Sequence, residues 1–233
     1  ALDFDGTDDY VMVSSPYTGF TNALSVEFWV NATAMPPGSI LGQSTSDVNA
    51  AATNVFLIGN DGSGGDITFY VADGSGFPGV VTTTTNFLGT GWHHVACVSD
   101  GAATKIYVDG ILEGTGGGVP SINSNLSAAL HIGKDSRYST TRFFDGIIDE
   151  VRIWNTARTS MQIQENMFEE LPGSETGLVA YYRFDEATGS TTLPDESTNS
   201  NTGTLTSMDA ATDWVTAAAR EPFKTLNGGN WNN

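Results

Sequence analysis

Asp149 is the residue whose chemistry most needs explaining. Strict alternation through Ile147-Ile148-Asp149-Glu150-Val151-Arg152-Ile153-Trp154 puts Ile147, Asp149, Val151 and Ile153 on one face, and its other members are aliphatic. A carboxylate on such a core-like face is costly to keep ionised without compensation. It must accept several hydrogen bonds as a structural residue, or bind a metal. Calcium takes roughly six to eight hard oxygens from carboxylates, carbonyls and water. Two other segments offer such oxygens. Asp5-Gly6 follows the first apolar alternation, and Asp195–Asn201 (DESTNSN) is dense in side-chain oxygen, with Asp195 and Asn199 as its candidate donors. The alternative for that second segment is a polar turn. Asn60–Asp66 is also oxygen-rich but lacks the spacing of an EF-hand loop, so it reads as a hairpin turn.

On the opposite face of the Asp149 strand lie Glu150, Arg152 and Trp154. Glu27 and Trp29 likewise share the face opposite Val26 and Phe28. An aromatic ring beside charged groups is what a sugar requires, the ring for its C–H faces and the charges for its hydroxyls. Glu27, Trp29, Glu150, Arg152 and Tyr138 are therefore candidate ligand residues. The competing reading has Trp29 packed against a helix or loop and Arg152 paired only with Glu150. His93 and His94 are adjacent in a strand and point to opposite faces, so they read as structural rather than as a chelating pair. Cys97, the single cysteine, lies in an apolar strand and reads as a buried thiol.

The elements that must position these residues are nearly all strands. Apolar and polar residues alternate in Leu2–Asp5, Leu24–Val30, Ile67–Val71, Lys105–Val108 and Val179–Phe184, the pattern of strands with one face buried and one wet. Six Asp-Gly pairs, beginning at Asp5, Asp61, Asp73, Asp100, Asp109 and Asp145, supply tight turns, because Asp and Gly tolerate positive φ. Short strands between repeated turn signals specify a sandwich or barrel rather than βαβ units. One segment departs from this rhythm. Thr159–Leu171 places Ile163, Met167 and Leu171 at helical spacing behind a Thr159/Gln162 capping box, and Pro172-Gly173 stops it, which predicts one short helix at the sandwich edge.

Charge narrows the partners. Nine Lys and Arg stand against 27 Asp and Glu, a formal net charge of −18. Such a surface repels phosphate backbones and anionic lipid headgroups, so no nucleic acid and no membrane insertion are expected, whereas cations are attracted. The Lys-poor, Thr/Asn/Gly-rich composition suits an exported protein, secreted or at the cell surface.

Seven phrases in order then carry a resemblance: LDFDGTDDYV (2–11), LSVEFWV (24–30), GWHHVACV (91–98), KIYVDG (105–110), FDGIIDEVRIWN (144–155), GLVAYYRFD (177–185) and DESTNSNTGTL (195–205). Together they resemble the laminin-G-like and pentraxin-like domains of the concanavalin A-like lectin/glucanase superfamily. The resemblance implies an all-β jelly-roll sandwich of two curved antiparallel sheets; with the one short helix the domain is expected over residues 1–222, and the Asn/Gly-rich stretch 223–233 reads as a tail or linker. It also implies that the segments of Asp5, Asp149 and Asp195 meet at one end of the sandwich. That gives an expected calcium site of Asp5, Gly6, Asp149, Asp195 and Asn199. The expected role is a non-catalytic, calcium-stabilised carbohydrate-binding module, lectin-like and tethered to other domains of a larger secreted or cell-surface protein. Glycosidases of this superfamily carry Glu-x-Asp-x-Glu on one strand. Here Ile147 stands where the first Glu would be, and Asp149 and Glu150 are adjacent and face apart. A polysaccharide hydrolase or lyase using carboxylates from different strands, and an adhesive or spacer module that binds protein, are the two alternatives.

Overall fold

The computed structural model describes residues 1–35, 38–45, 54–60, 62, 64–123, 128–135, 137–138 and 140–216. The Asp61 turn, the boundary at 222 and the tail 223–233 lie outside the described residues. In chain order the strands are β1 (Leu2–Asp5), β2 (Tyr10–Val13), β3 (Leu24–Ala34), β4 (Gly38–Ser44), β5 (Asn54–Asn60), β6 (Thr68–Val71), β7 (Gly79–Thr82), β8 (His93–Ser99) and β9 (Thr104–Val108). Then come β10 (Ile111–Gly116), β11 (Leu130–Ile132), β12 (Asp145–Trp154), helix α1 (Ser160–Asn166), β13 (Leu178–Tyr182), β14 (Thr192–Leu193) and β15 (Gly203–Thr206).

These strands form two antiparallel sheets. One has seven strands in the order β1-β12-β3-β8-β9-β10, with β13 also paired to β12; the other has eight, β14-β15-β2-β11-β4-β5-β6-β7. Their inner faces share one core. Phe4, Phe28, Val30, Val95, Ile106, Ile148 and Val151 of the first sheet meet Val11, Val13, Leu41, Phe56, Ile58 and Phe69 of the second. Cys97 lies in this core, and burial raises its thiol well above the usual range, so it stays protonated and inert. The all-β sandwich with one short helix is as expected.

The helix forms for the reasons read from the sequence. Gln162 N donates to Thr159 Oγ1 (3.2 Å), and Thr159 N donates to Gln162 Oε1 (2.9 Å), completing the capping box. It is shorter than the predicted segment, and its place differs too. Ile163 is fully buried against Ala96, Val98 and Tyr107, so α1 lies on the outer face of the seven-stranded sheet rather than at its edge. Burying that one isoleucine contributes about 1.5–3 kcal/mol. As a consequence β3, β8, β12 and β13 are covered on both faces, although the alternation in β3, β12 and β13 predicts one wet face.

β12 also departs from strict alternation. Its register with β3 shifts between Asp149 and Arg152, and Glu150 has φ +51°. This is a β-bulge: two residues occupy the space of one, and the strand resumes with its faces exchanged. Ile148 faces the core before the bulge, Val151 and Ile153 face it afterwards, and Ile147 lies outside it. Asp149 therefore does not share the core face with Val151. It pairs with Trp29, on the outer face, beneath the helical segment.

Candidate functional site

The covered face comes first, because four of the five predicted ligand residues lie there. Glu27, Trp29, Glu150 and Arg152 do come together, but they are 0%, 6%, 4% and 2% exposed. The indole of Trp29 donates to the carbonyl of Met167 (2.9 Å) and packs against Phe168. Arg152 Nη1 donates to the Asn166 carbonyl (2.7 Å), and Nη2 donates to Glu150 Oε2 (2.6 Å) and to the Glu169 carbonyl. Tyr181 Oη donates to the same Glu150 oxygen (2.7 Å). Arg152 thus ties the carbonyl of Asn166, the last residue of α1, and that of Glu169, in the turn after it, to the sheet with a cation. Glu27 lies 3.7 Å from His94 Nε2 and 3.5 Å from Arg158 Nε, and burial raises its carboxyl. His94 is held neutral, its pKa lowered to about 3 by burial and by the Arg152 charge. This is a buried polar network that fastens the helical segment to the sheet. It gives a dissolved sugar no access, and that corrects the expectation for these four residues. Sequence placed them on one face correctly; α1 covers that face.

The expected metal ligands do not gather either. Asp5 pairs with Asp145, and Leu2 with Ile148, along β1 and β12. Asp149 is four residues along β12 from Asp145, about 13 Å at strand rise, too far for one ion to span. Asp149 Oδ1 instead accepts from Glu150 N (3.1 Å) and lies 3.7 Å from the Ala1 amino nitrogen. Asp195 turns its oxygens on its own loop and on β13, accepting from Tyr181 N, Ser197 N and Asn201 N, each at 2.9 Å. The Asn199 amide donates to the Val179 carbonyl at 2.9 Å. Both are structural loop residues, the alternative reading given above.

Asp5 and Gly6 lie in the β1–β2 turn, and what joins them there was not singled out from sequence. Carboxylate oxygens of Asp5, Asp8 and Asp9 lie within 4.8 Å of one another. Asp9 is buried, and Asp5 N donates to its Oδ2 (3.1 Å). Burial pushes the Asp9 carboxyl up to about 6. Asp3 and Asp145 are also raised, first by burial and then by neighbouring carboxylates, including Asp5 in both cases. Gly6, at φ +73°, lets the turn close on Asp145: a Cβ there would meet Asp145 Cβ at 2.8 Å. A cation is the species that would relieve this crowding, and the three converging carboxylates are hard-oxygen donors of the right kind. The sequence signal is Asp at positions 5, 8 and 9 within one turn.

Among the described residues, the outer face of the eight-stranded sheet carries no helix. Tyr10, Met12, His131 and Tyr70 lie on it, since their strand neighbours Val11, Val13, Leu130, Ile132, Phe69 and Val71 face the core. The hairpin 133–144, which connects β11 to β12, carries Tyr138, the fifth predicted ligand residue, partly exposed with the Arg142 guanidinium 3.6 Å from its ring centre. At the other end of β2 an open depression of ≈ 550 Å³ is lined by Phe20, Asn22, Asp73, Ser121, Ile122 and Asn123, among others. It holds none of the predicted residues, and Asp73 Oδ1 is taken up by its own turn, accepting from Ser75 and Gly76.

A laminin-G-type family model, described as the concanavalin A-like lectin/glucanase superfamily, matches residues 5–164. The chain belongs to that superfamily. Among solved structures, this lectin/glucanase-type domain resembles a candidate carbohydrate-binding protein from Bacteroides ovatus. The TM-score is 0.65 at 23% identity, over 88% of this chain and 58% of that one. It also resembles the heptameric SAP-like pentraxin of Limulus polyphemus (TM-score 0.52, 19% identity, 70% of this chain and 79% of that one). A third is the CBM40 of the Ruminococcus gnavus IT-sialidase, bound to α2,3-sialyllactose (TM-score 0.51, 13% identity, 63% and 83%). At these identities the likeness establishes the fold. No curated protein matches the chain. No helix among the described residues is long and apolar enough to cross a membrane.

Proposed function

We propose that this domain is a non-catalytic carbohydrate-binding module, stabilised by calcium and tethered to other domains of a larger secreted or cell-surface protein. The observation that carries the reading is the asymmetry of the sandwich. One outer face is covered over its central strands by α1 and the residues that follow it, while the other leaves partly exposed rings, Tyr10, Tyr70 and Tyr138, on and beside a sheet of a lectin-type fold. Fixed rings are suited to stacking against sugars at little entropic cost. The carbohydrate binding named for the Bacteroides ovatus protein and the sialyllactose on the CBM40 support the same class of ligand. Glu27 and Glu150 are buried beside arginines, which supports binding over hydrolysis by those carboxylates.

Calcium belongs at Asp5, Asp8 and Asp9, where it would order the β1–β2 turn and neutralise the surrounding carboxylates. A ligand bound only to the folded state at about 100 times its Kd adds about 2.7 kcal/mol, or roughly 5–11 °C in Tm for a chain of this size. Melting in EDTA and then in excess calcium tests this, with Asp8→Asn/Asp9→Asn as the control that should lose the shift. An unchanged Tm in wild type refutes the calcium claim. A glycan array of neutral and charged polysaccharides without a single hit refutes the carbohydrate claim.

A further inference from the structure

The two sheets differ in charge as well as in cover. Most strands of the seven-stranded sheet carry charged residues, among them Asp3, Glu27, Lys105, Asp149 and Arg152. The strands of the eight-stranded sheet contain no Asp, Glu, Lys or Arg, in a chain with 27 Asp and Glu and nine Lys and Arg. Its outward side chains are not equally accessible. Leu57 and Thr68 point outward, since Phe56, Ile58 and Phe69 face the core, yet they are only 2% and 1% exposed. On β14, β15, β2 and β11 the outward residues are open. Thr192 pairs with Thr204, Thr204 with Met12 and Met12 with His131, a row across four strands. At the usual strand spacing this row is about 14 Å long. Thr206 pairs with Tyr10 beside it. All six residues are partly or fully exposed. The Tyr10 ring lies 5.7 Å from that of His131 and 6.4 Å from that of Phe143. Burial, with the Lys134 charge, lowers the pKa of His131 and keeps that ring neutral at neutral pH. The cations beside the strip are taken up within the fold. Arg137 and Arg142 both bridge to the buried carboxylate of Asp135, and the Lys134 ammonium sits 4.4 Å from the centre of the Tyr10 ring and 4.9 Å from that of Phe143.

We infer that this strip of the open face, β14-β15-β2-β11, binds a neutral polysaccharide, one whose units carry hydroxyls and no acid group. The inference deepens the carbohydrate reading and rests on it. Threonine hydroxyls both donate and accept, as sugar hydroxyls do, and the Tyr10 ring offers a surface to sugar C–H groups. The row is uncharged from end to end, so an uncharged chain lying along it takes no ion of the strip out of water. An acidic chain would meet the repulsion of a protein of net charge −18. Arg137 and Arg142 are already committed to Asp135, and the strip itself holds no charge to offset that repulsion.

Affinity electrophoresis and calorimetry of the whole chain, in calcium, would use laminarin, arabinan and xyloglucan as neutral probes, polygalacturonate and alginate as carboxylated ones, and dextran sulfate as the sulfated one. The expected result is retention by at least one neutral polymer and by none of the acidic ones, with a Kd that hardly changes between low and high salt. Tyr10→Ala removes the ring and Thr204→Lys stands a long side chain in the row, and each should raise Kd about tenfold. Met161→Lys, at an exposed position of α1 on the other sheet, should leave Kd unchanged. If Tyr10→Ala lowers Tm, Thr204→Lys alone decides the location, because Thr204 is exposed. An acidic polymer bound as tightly as any neutral one, or bound alone, overturns this inference and leaves the carbohydrate reading standing. Neutral binding that Tyr10→Ala and Thr204→Lys retain at full strength, or that Met161→Lys weakens as much as they do, overturns the location. Binding to none of the polymers overturns both readings.

Discussion

Replacing Arg152 with methionine separates its two possible roles, helix anchor and ligand residue. The change keeps most of the side chain's length and removes its charge and donors. Lost with them are the bonds to the Asn166 carbonyl (2.7 Å), the Glu169 carbonyl and Glu150 Oε2 (2.6 Å), all in a site where Arg152 is 2% exposed. Glu150 would remain buried with Tyr181 as its hydrogen-bonding neighbour, and breaking one side of a buried pair costs about 3–5 kcal/mol. At roughly 2–4 °C per kcal/mol for a chain of this size, Arg152→Met should lower Tm by about 6–20 °C. The loss should be local, with amides of residues 160–170 exchanging faster than those of the core strands. Removing the remaining charge in Glu150→Gln/Arg152→Met should recover part of the loss, because a glutamine can still accept from Tyr181 and needs no cation. Calorimetry and hydrogen exchange on the four proteins of this cycle provide the measurement. If Arg152→Met melts within about 2 °C of wild type while glycan binding disappears, Arg152 faces the ligand and the anchoring account is wrong.

Two further outcomes follow from the buried groups. Asp195→Ala removes the acceptor for three backbone amides, so it should destabilise the domain by about 2–4 kcal/mol and leave the calcium-induced Tm shift intact; loss of that shift would return Asp195 to the metal site. His94, at about 3 in the folded protein against 6.5 when unfolded, binds fewer protons folded than unfolded. Its contribution is therefore complete above pH 6.5 and is lost as pH falls from 6.5 towards 3, at up to about 1.4 kcal/mol per pH unit. Glu27, raised by burial, has the opposite slope. His94→Gln should thus flatten the fall of Tm between pH 6 and 4, and an unchanged slope would mean that His94 is protonated in the folded state.

The fold was legible because its signals are local. Period-two alternation in Leu24–Val30 and Lys105–Val108, the Asp-Gly turns and the Thr159/Gln162 cap each act over a few residues, and β3, β9 and α1 form where those patterns lie. The sharing of a face by Glu27 and Trp29, and by Glu150 and Arg152, was equally legible, since pleating decides it. What covers a face is a different matter. Whether α1 closes over Trp29 depends on the docking of Ile163 against Ala96, Val98 and Tyr107, far away in sequence. The bulge at Asp149–Glu150 is an offset between two strands, and alternation within one strand carries no record of it. Once it is present, Asp149 leaves the core face and the case for it as a calcium ligand loses its premise.

The sequence by itself determined an acidic, all-β sandwich of the lectin/glucanase type with one capped helix. Only the tertiary structure decided which outer face stays open, to which face the bulge in β12 turns Asp149, and which of the predicted ligand residues are buried. The physical reason is that strand formation follows from neighbouring residues, whereas access follows from register, bulges and the packing of segments far apart in sequence.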